Sequence, residues 1–125
     1  SDEDLSNYYN ACDIFVLMSR TLQRENAVEG FGIVFIEASF FKKPVIAGKS
    51  GGTSEAVIHG VTGFLLNPED ENELQEKISL LLKNSGLRKR LGINGNNFVM
   101  NNMLWKHNAH KTAAVYKDAI KSKHP

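Results

Sequence analysis

Two glutamates lie in the part of the chain whose residue types could do chemistry. Glu29 and Glu37 are eight positions apart, and glycines occupy positions 30 and 32 directly after the first glutamate. An ionised carboxylate accepts hydrogen bonds and cannot donate them, so its natural ligands are hydroxyl groups. Eight helical residues span about 12 Å, which would separate a sugar hydroxyl from the diol of a ribose. The spacing predicts a site for a sugar–diphosphate–ribose ligand, and an amphipathic helix with two solvated glutamates is the alternative.

The two glycines predict the mouth of a helix whose body begins at Ile33. Glycine permits a tight turn and lets a ligand approach the bare backbone at Gly30 and Gly32. The first N–H groups of a helix lack internal partners and suit an anion such as a diphosphate. The stretch therefore predicts an anion site between two carboxylates that bind hydroxyl groups.

A second glycine-rich segment spans residues 48–52 and follows the apolar residues 45–47. If both glycine segments connect parallel strands to helices, they lie on the same edge of the sheet, where α/β proteins bind ligands. This pairing favours a site for a nucleotide or a sugar phosphate. An ordinary turn at Gly51 and Gly52 and a solvent-exposed Lys49 are the alternative interpretations.

The hydrophobic pattern predicts an α/β fold. Apolar runs at 14–18, 45–47 and 63–66 are short, as expected for buried parallel strands. Helices are expected at 2–10, from Gly30 to 42, and at 53–59, 70–84, 87–100 and 103–121, with a loop at 19–28. The alternation predicts a partial Rossmann-like fold with about three parallel strands flanked by helices and a helical C-terminal tail. The first strand is expected to have an unpaired edge, through which copies of the chain could associate.

Composition excludes several classes of protein. A chain of 125 residues is one domain or less, and a net charge of +1 supplies no basic field for nucleic acid. The single cysteine, Cys12, is expected to be a buried, inert thiol. Four scattered histidines show no metal-binding spacing, so no metal is expected. The basic residues 88–90 are expected to form a solvated face.

The ends and the hydropathy of the chain bear on its location. No apolar run approaches the roughly 20 residues of a membrane-spanning helix. The acidic start is unlike a signal peptide and lacks a methionine, which favours a segment of a longer protein.

Taken together, these motifs resemble the donor-binding domain of retaining GT-B glycosyltransferases, most closely family 4, which includes phosphatidylinositol mannosyltransferases and sucrose synthases. The resemblance covers nearly the whole chain. It is carried by the segments 13–17, 19–20, 29–38, 43–47, 50–55, 63–65 and 91–95, with Trp105 and Tyr116. Residues 28–32 are similar to the phosphatidylinositol-mannosyltransferase-like branch. Met18 departs from the family, which usually has proline there.

The resemblance implies a role for each candidate site residue. Glu29, the candidate catalytic residue, would hold hydroxyls of the transferred sugar, and Glu37 would bind the ribose hydroxyls. The backbone of Gly30, Phe31 and Gly32 would contact the sugar and the diphosphate. Gly51 and Gly52 would line the sugar end with Glu55 nearby, and Ile33 and Val34 would sit beside the nucleotide.

By the same resemblance, residues 1–125 are the second half of the nucleotide-sugar-binding C-terminal domain. The implied parent transfers a hexose, with mannose as a candidate, from a donor such as GDP-mannose or a UDP-sugar to a glycan or lipid-linked acceptor. It would need no cofactor or metal, and it would act in the cytoplasm or through peripheral contact at the cytoplasmic face of a membrane.

The acceptor domain, and the Arg and Lys that the family uses against the diphosphate, are not in this sequence, so the chain alone is expected to be inactive. A non-catalytic module that binds a nucleotide or phosphosugar, and a structural α/β interaction domain, are the alternative functions.

Overall fold

The computed structural model describes residues 2–18, 25–50 and 53–103, and for residues 2, 25–31 and 103 it describes the backbone alone. The chain alternates helices and strands as far as residue 66 and continues as helices. The elements are α1 (Asp2–Ala11), β1 (Phe15–Leu17), α2 (Glu25–Phe40), β2 (Val45–Gly48), α3 (Thr53–Ala56), β3 (Gly63–Leu66), α4 (Glu71–Lys83) and α5 (Ser85–Phe98), followed by a π-helical segment (Val99–Met103). The tail predicted at 103–121 lies outside the described residues except at its start.

The three strands form one parallel sheet in the order β1-β2-β3. Leu17 is paired with Ala47, and Ala47 is paired with Leu65. The prediction of about three parallel strands flanked by helices is therefore confirmed. Within the described part of the chain, β1 and β3 are the two edges of this sheet.

Strand β2 is buried on both faces because helices cover both sides of the sheet. On one face, Val45 and Ala47 pack into a cluster with Phe35 of α2. On the other, Ile46 packs with Leu81 of α4 and with a leucine of α5. Successive strand side chains point to opposite faces, which explains why the whole of β2 is apolar.

Helix α2 begins at Glu25, so the prediction of a loop to residue 28 and a helix mouth at Gly30–Gly32 is wrong for this conformation. Residues 19–24 lie outside the described residues. A glycine inside a helix costs only about 0.5–1 kcal/mol relative to alanine. The burial of Phe35 and Ala38, both fully inaccessible, is large enough to offset two such costs.

Two other helix boundaries differ from the prediction. Helix α3 ends at Ala56 rather than at residue 59, because the N–H of Ile58 donates to the hydroxyl of Thr62 at 2.9 Å. Residues 85 and 86 open α5 and do not interrupt a helix, because Asn84 accepts from the N–H of Leu87 at 2.9 Å and caps it.

The pattern predicts a solvated face at residues 88–90, but only two of these three basic residues are exposed. Arg88 is half-buried, and its guanidinium donates to the backbone carbonyls of Leu81 and Leu82 in the last turn of α4. These carbonyls carry the negative end of the helix dipole, so a cation is favourable there. Lys89 and Arg90 are exposed, as predicted.

Helix α5 fixes the C-terminal end of α2. The side-chain amide of Asn96 donates to the carbonyl of Phe40 at 2.7 Å. A Cβ atom at Gly92 would overlap the carbonyl of Lys42, which itself has a φ of 61°. The two backbones can approach this closely only with glycine at position 92, and the contact sets where α2 ends.

Candidate functional site

The carboxyl ends of β1 and β2 lie side by side because the two strands are adjacent and parallel. Helix α2 follows β1 and helix α3 follows β2, and the two helices pack against each other. Only the second glycine segment lies in a connection from a strand to a helix, because Gly30 and Gly32 lie within α2. Gly51 and Gly52 themselves lie outside the described residues.

The start of α3 is fixed by a buried threonine. The hydroxyl of Thr53 accepts from the N–H of Ser50 at 3.0 Å and lies 2.7 Å from the Ser50 carbonyl and 3.1 Å from that of Gly48. Thr53 thus ties the end of β2 to the first turn of α3. Glu55, which the resemblance places near the sugar, is exposed on that helix.

Glu29 and Glu37 both lie in α2, which is helical throughout the interval between them. The predicted rise of about 12 Å therefore holds for their backbone positions. The Glu29 side chain lies outside the described part of the structure. The N–H groups of Gly30, Phe31 and Gly32 come after the first four of the helix, which are the ones without internal partners.

Gly32 is a helical glycine that the described structure does not require. A Cβ added there would meet no atom within 4 Å, and its φ is not in the left-handed region. Gly92 and Gly95, by contrast, face neighbouring atoms that leave little or no room for a side chain. The absence of a side chain at Gly32 therefore has no explanation in the packing of the described residues.

An apolar side chain is exposed one turn before Glu37. Ile33 is 53% accessible and precedes Glu37 by four residues, so the two lie on one side of α2. Val34 is half-buried and packs against the core. The apolar surface that could meet a planar base in this turn of the helix is therefore that of Ile33, and contact of Val34 with a nucleotide stays a prediction.

Glu37 is bound by a tyrosine from α1. The hydroxyl of Tyr9 donates to Oε2 of Glu37 at 3.0 Å and also lies 3.5 Å from the carbonyl of Val34. In the sequence, Tyr9 is one residue of the helix expected at 2–10. No local pattern could have indicated this bond, because 28 positions separate the two residues.

The environment of Tyr9 favours its neutral phenol. Burial has the largest effect and raises the pKa of Tyr9 above its usual value, and the negative charge of Glu37 and the hydrogen bond to it raise that pKa further. The phenol therefore stays a donor over the whole physiological range.

The other polar groups among the described residues do not form a second candidate site. Cys12 is expected to be buried, but it is only half-buried. Its thiol donates to the carbonyl of Tyr9 at 3.4 Å. Burial raises the pKa of Cys12, which keeps the thiol protonated and unreactive. Among the described residues, no group of three His, Cys, Asp or Glu side chains could hold a metal ion. None of the helices in the described ranges has the length and hydropathy to cross a bilayer.

Comparison with known proteins places the chain among glycosyltransferases. The profile of the family "Glycosyl transferases group 1" matches residues 1–98. The chain is 40% identical over 98 residues to an uncharacterized glycosyltransferase of Methanocaldococcus jannaschii, covering 78% of this chain and 26% of that protein. It is 33% identical to the GDP-mannose-dependent alpha-(1-6)-phosphatidylinositol monomannoside mannosyltransferase of Mycolicibacterium smegmatis, covering 83% of this chain and 27% of that enzyme.

Solved structures agree with the sequence comparison. Sucrose-phosphate synthase of Thermosynechococcus elongatus superposes with a TM-score of 0.72 and 32% identity, covering 95% of this chain and 28% of that one. The C-terminal domain of a group 1 glycosyltransferase of Francisella tularensis superposes with a TM-score of 0.66 and 30% identity, over 77% of this chain and 46% of that domain. The chain spans about a quarter of the length of the curated relatives it matches.

The bond between Tyr9 and Glu37 predicts a loss of stability in alkali. The folded state raises the pKa of Tyr9. The neutral phenol therefore makes its full contribution to the free energy of unfolding below pH ~10, where the phenol of the unfolded chain is also neutral. Above that pH the unfolded state loses its proton first, and the free energy of unfolding falls by up to about 1.4 kcal/mol per pH unit.

The measurement is urea unfolding between pH 8.5 and 11. We expect Tyr9→Phe to remove the part of the slope of unfolding free energy against pH that Tyr9 causes. Tyr8 is 75% exposed, and Tyr8→Phe should keep that slope. The lysines titrate equally in both variants, so equal slopes would contradict the bond between Tyr9 and Glu37.

Proposed function

The chain belongs to the group 1 glycosyl transferases, and on that premise we propose that it is the donor-binding part of a longer, retaining GT-B enzyme. In this proposal residues 1–125 form the second half of the nucleotide-sugar-binding C-terminal domain. The enzyme transfers a hexose from a nucleotide-diphosphate sugar to a glycan or lipid-linked acceptor, which a separate N-terminal domain binds.

The observation that carries this proposal is that Glu37 and the exposed Ile33 lie on the same side of α2, one turn apart. A carboxylate suits the two hydroxyls of a ribose, since it accepts hydrogen bonds and cannot donate them. The exposed Ile33, one turn away, offers apolar contact to the attached base. A nucleoside satisfies both chemistries at once, because one ribose ring carries both the base and the 2′,3′-diol.

Glu29, the second glutamate of α2, would then bind the transferred sugar. A position about 12 Å from Glu37 along α2 is suited to the far end of a nucleotide sugar. Glu29 holds sugar hydroxyls there and orients the anomeric carbon toward the acceptor. Gly51 and Gly52 line the sugar end of the site, with Glu55 on the helix that follows them. The site uses no cofactor or metal in this proposal.

Binding of the diphosphate has a structural cost in this arrangement. Contact with the N–H groups of Gly30, Phe31 and Gly32 requires the first turns of α2 to unwind, because these groups lie inside the helix. Two glycines within three residues lower the cost of unwinding. Stabilisation of the leaving diphosphate falls to basic groups elsewhere in the enzyme, since the transition state gathers negative charge there.

Mannose is the sugar, and GDP-mannose the donor, that we favour over a UDP-sugar. The support is the mannosyltransferase of Mycolicibacterium smegmatis, whose name specifies GDP-mannose and a phosphatidylinositol monomannoside acceptor. A lipid-linked acceptor would place the enzyme in the cytoplasm, in peripheral contact with the cytoplasmic face of the membrane.

Alanine variants of the two glutamates in the complete enzyme test the division of roles. Glu29→Ala is expected to abolish transfer, because the sugar is no longer oriented. Glu37→Ala is expected to raise the KM for the donor by about tenfold or more, the worth of hydrogen bonds to a charged group, with a smaller change in kcat. Glu76→Ala, an exposed glutamate on α4, is the control. Normal donor KM in Glu37→Ala would contradict the ribose assignment, and donor binding without transfer by the wild type would indicate a non-catalytic module.

Substitution of Gly32 separates stability from donor binding. Gly32→Ala is expected to leave the fold as stable or to raise the free energy of unfolding by up to about 1 kcal/mol, because alanine favours helix and meets no atom within 4 Å. The same methyl group is expected to raise the donor KM, because it occupies the space in which the donor approaches the backbone.

The matched control is Gly86→Ala in α5, where the added Cβ would meet only Asn84 at 3.5 Å, an ordinary contact. It is expected to stabilise the protein similarly without changing the donor KM. Thermal unfolding and donor titration of both variants provide the two readouts. An unchanged donor KM in Gly32→Ala would contradict the approach of the donor to this position.

A further inference from the structure

Tyr9 joins a buried aromatic cluster to the carboxylate proposed to bind ribose. The side chain is only 5% exposed, and its hydroxyl is the one part that reaches a charged group. In this hydrogen bond the phenol donates to an ionised acceptor, and such charge-assisted bonds are stronger than those between neutral groups.

The ring of Tyr9 is held by rings from two other parts of the chain. It stacks on Phe41 with centroids 5.3 Å apart and planes 9° apart, and it tilts against Phe15 of β1 at 5.8 Å. Phe15 in turn meets Phe35 of α2 edge to face at 6.0 Å. These contacts restrain the Tyr9 ring and, through it, the hydroxyl oxygen.

The C-terminal end of α1, which carries Tyr9, is itself tied down. Lys43 donates through Nζ to the carbonyl of Asn10 at 3.2 Å, at the end of the helix where backbone carbonyls lack internal partners. Tyr9 is thus restrained through its ring and through the backbone of the next residue, Asn10.

A glutamate side chain has three rotatable bonds, and binding a ligand usually requires that they be ordered at that moment. A hydrogen bond to Oε2 from a fixed phenol orders them in advance. A carboxylate has about four acceptor positions on two oxygens, and the bond from Tyr9 uses one position, on Oε2.

We propose that Tyr9 is a positioning residue for the donor: its hydroxyl holds the Glu37 carboxylate in the orientation that accepts the ribose hydroxyls. This inference rests on the role of Glu37 in the proposed function. Tyr9 does not contact the donor in this proposal, and its effect depends on the presence of the ribose hydroxyls.

The test is a cycle of protein variants and nucleotide probes in the complete enzyme. The inhibition constant of the nucleoside diphosphate product, GDP or UDP, is measured beside that of its 2′,3′-dideoxyribose analogue. Tyr9→Phe keeps the ring and removes only the hydroxyl, and Tyr8→Phe is the matched control on the exposed neighbour. Melting temperatures establish that each variant is folded.

We expect Tyr9→Phe to raise the inhibition constant of the ribonucleotide by about three- to tenfold, the worth of one hydrogen bond, and to leave that of the dideoxy analogue unchanged. Tyr8→Phe should change neither. Should Tyr9→Phe fold poorly, Phe41→Leu removes the stacked ring and keeps the hydroxyl, and a smaller but equally ribose-dependent rise is expected.

Three results would overturn the inference. An equal rise for both probes would show that Tyr9 acts on the fold in general. If Tyr9→Phe leaves the inhibition constant of the ribonucleotide unchanged while Glu37→Ala clearly raises it, Tyr9 has no positioning role and the proposed function still stands. If Glu37→Ala does not raise the inhibition constant of the ribonucleotide, Glu37 does not bind the ribose, and the proposed role of Tyr9 is wrong as well.

Discussion

The position of α2 is the constraint on which the candidate site depends. Its buried side holds Phe35 and Ala38 against β2, and the contact of Gly92 with the backbone of Lys42 fixes its end. With one side buried and one end fixed, the helix cannot rotate without opening the core. Glu37 and Ile33 therefore have set positions relative to the sheet.

This fixed helix explains how one short segment could serve a long ligand. The part of α2 that carries Glu37 packs against the core and is rigid. While α2 is helical, the backbone of Glu29 lies about 12 Å from that of Glu37 along the helix axis. Tyr9 extends that rigidity from the backbone to the Glu37 side chain, through a hydrogen bond of 3.0 Å. The first turns of α2 differ, because glycines at 30 and 32 make them the part of the helix that unwinds most readily.

Much of the fold could be predicted from the sequence, because the strands are short runs of apolar residues and both faces of β2 are buried. The hydrophobic pattern indicated all three strands, and their parallel arrangement followed from the alternation with helices. Helix boundaries were less predictable, since Asn84 ends one helix and caps the next, and Thr62 ends α3 through a side-chain bond. The bond between Tyr9 and Glu37 could not be predicted, because it depends on how α1 packs after the chain has turned back on itself.

A crystal structure of the complete enzyme with its nucleotide-diphosphate sugar tests the role of Glu37 most directly. We expect the carboxylate of Glu37 within hydrogen-bond distance of the ribose hydroxyls while the bond from Tyr9 persists. A ribose bound elsewhere, out of reach of the Glu37 carboxylate, would contradict this role.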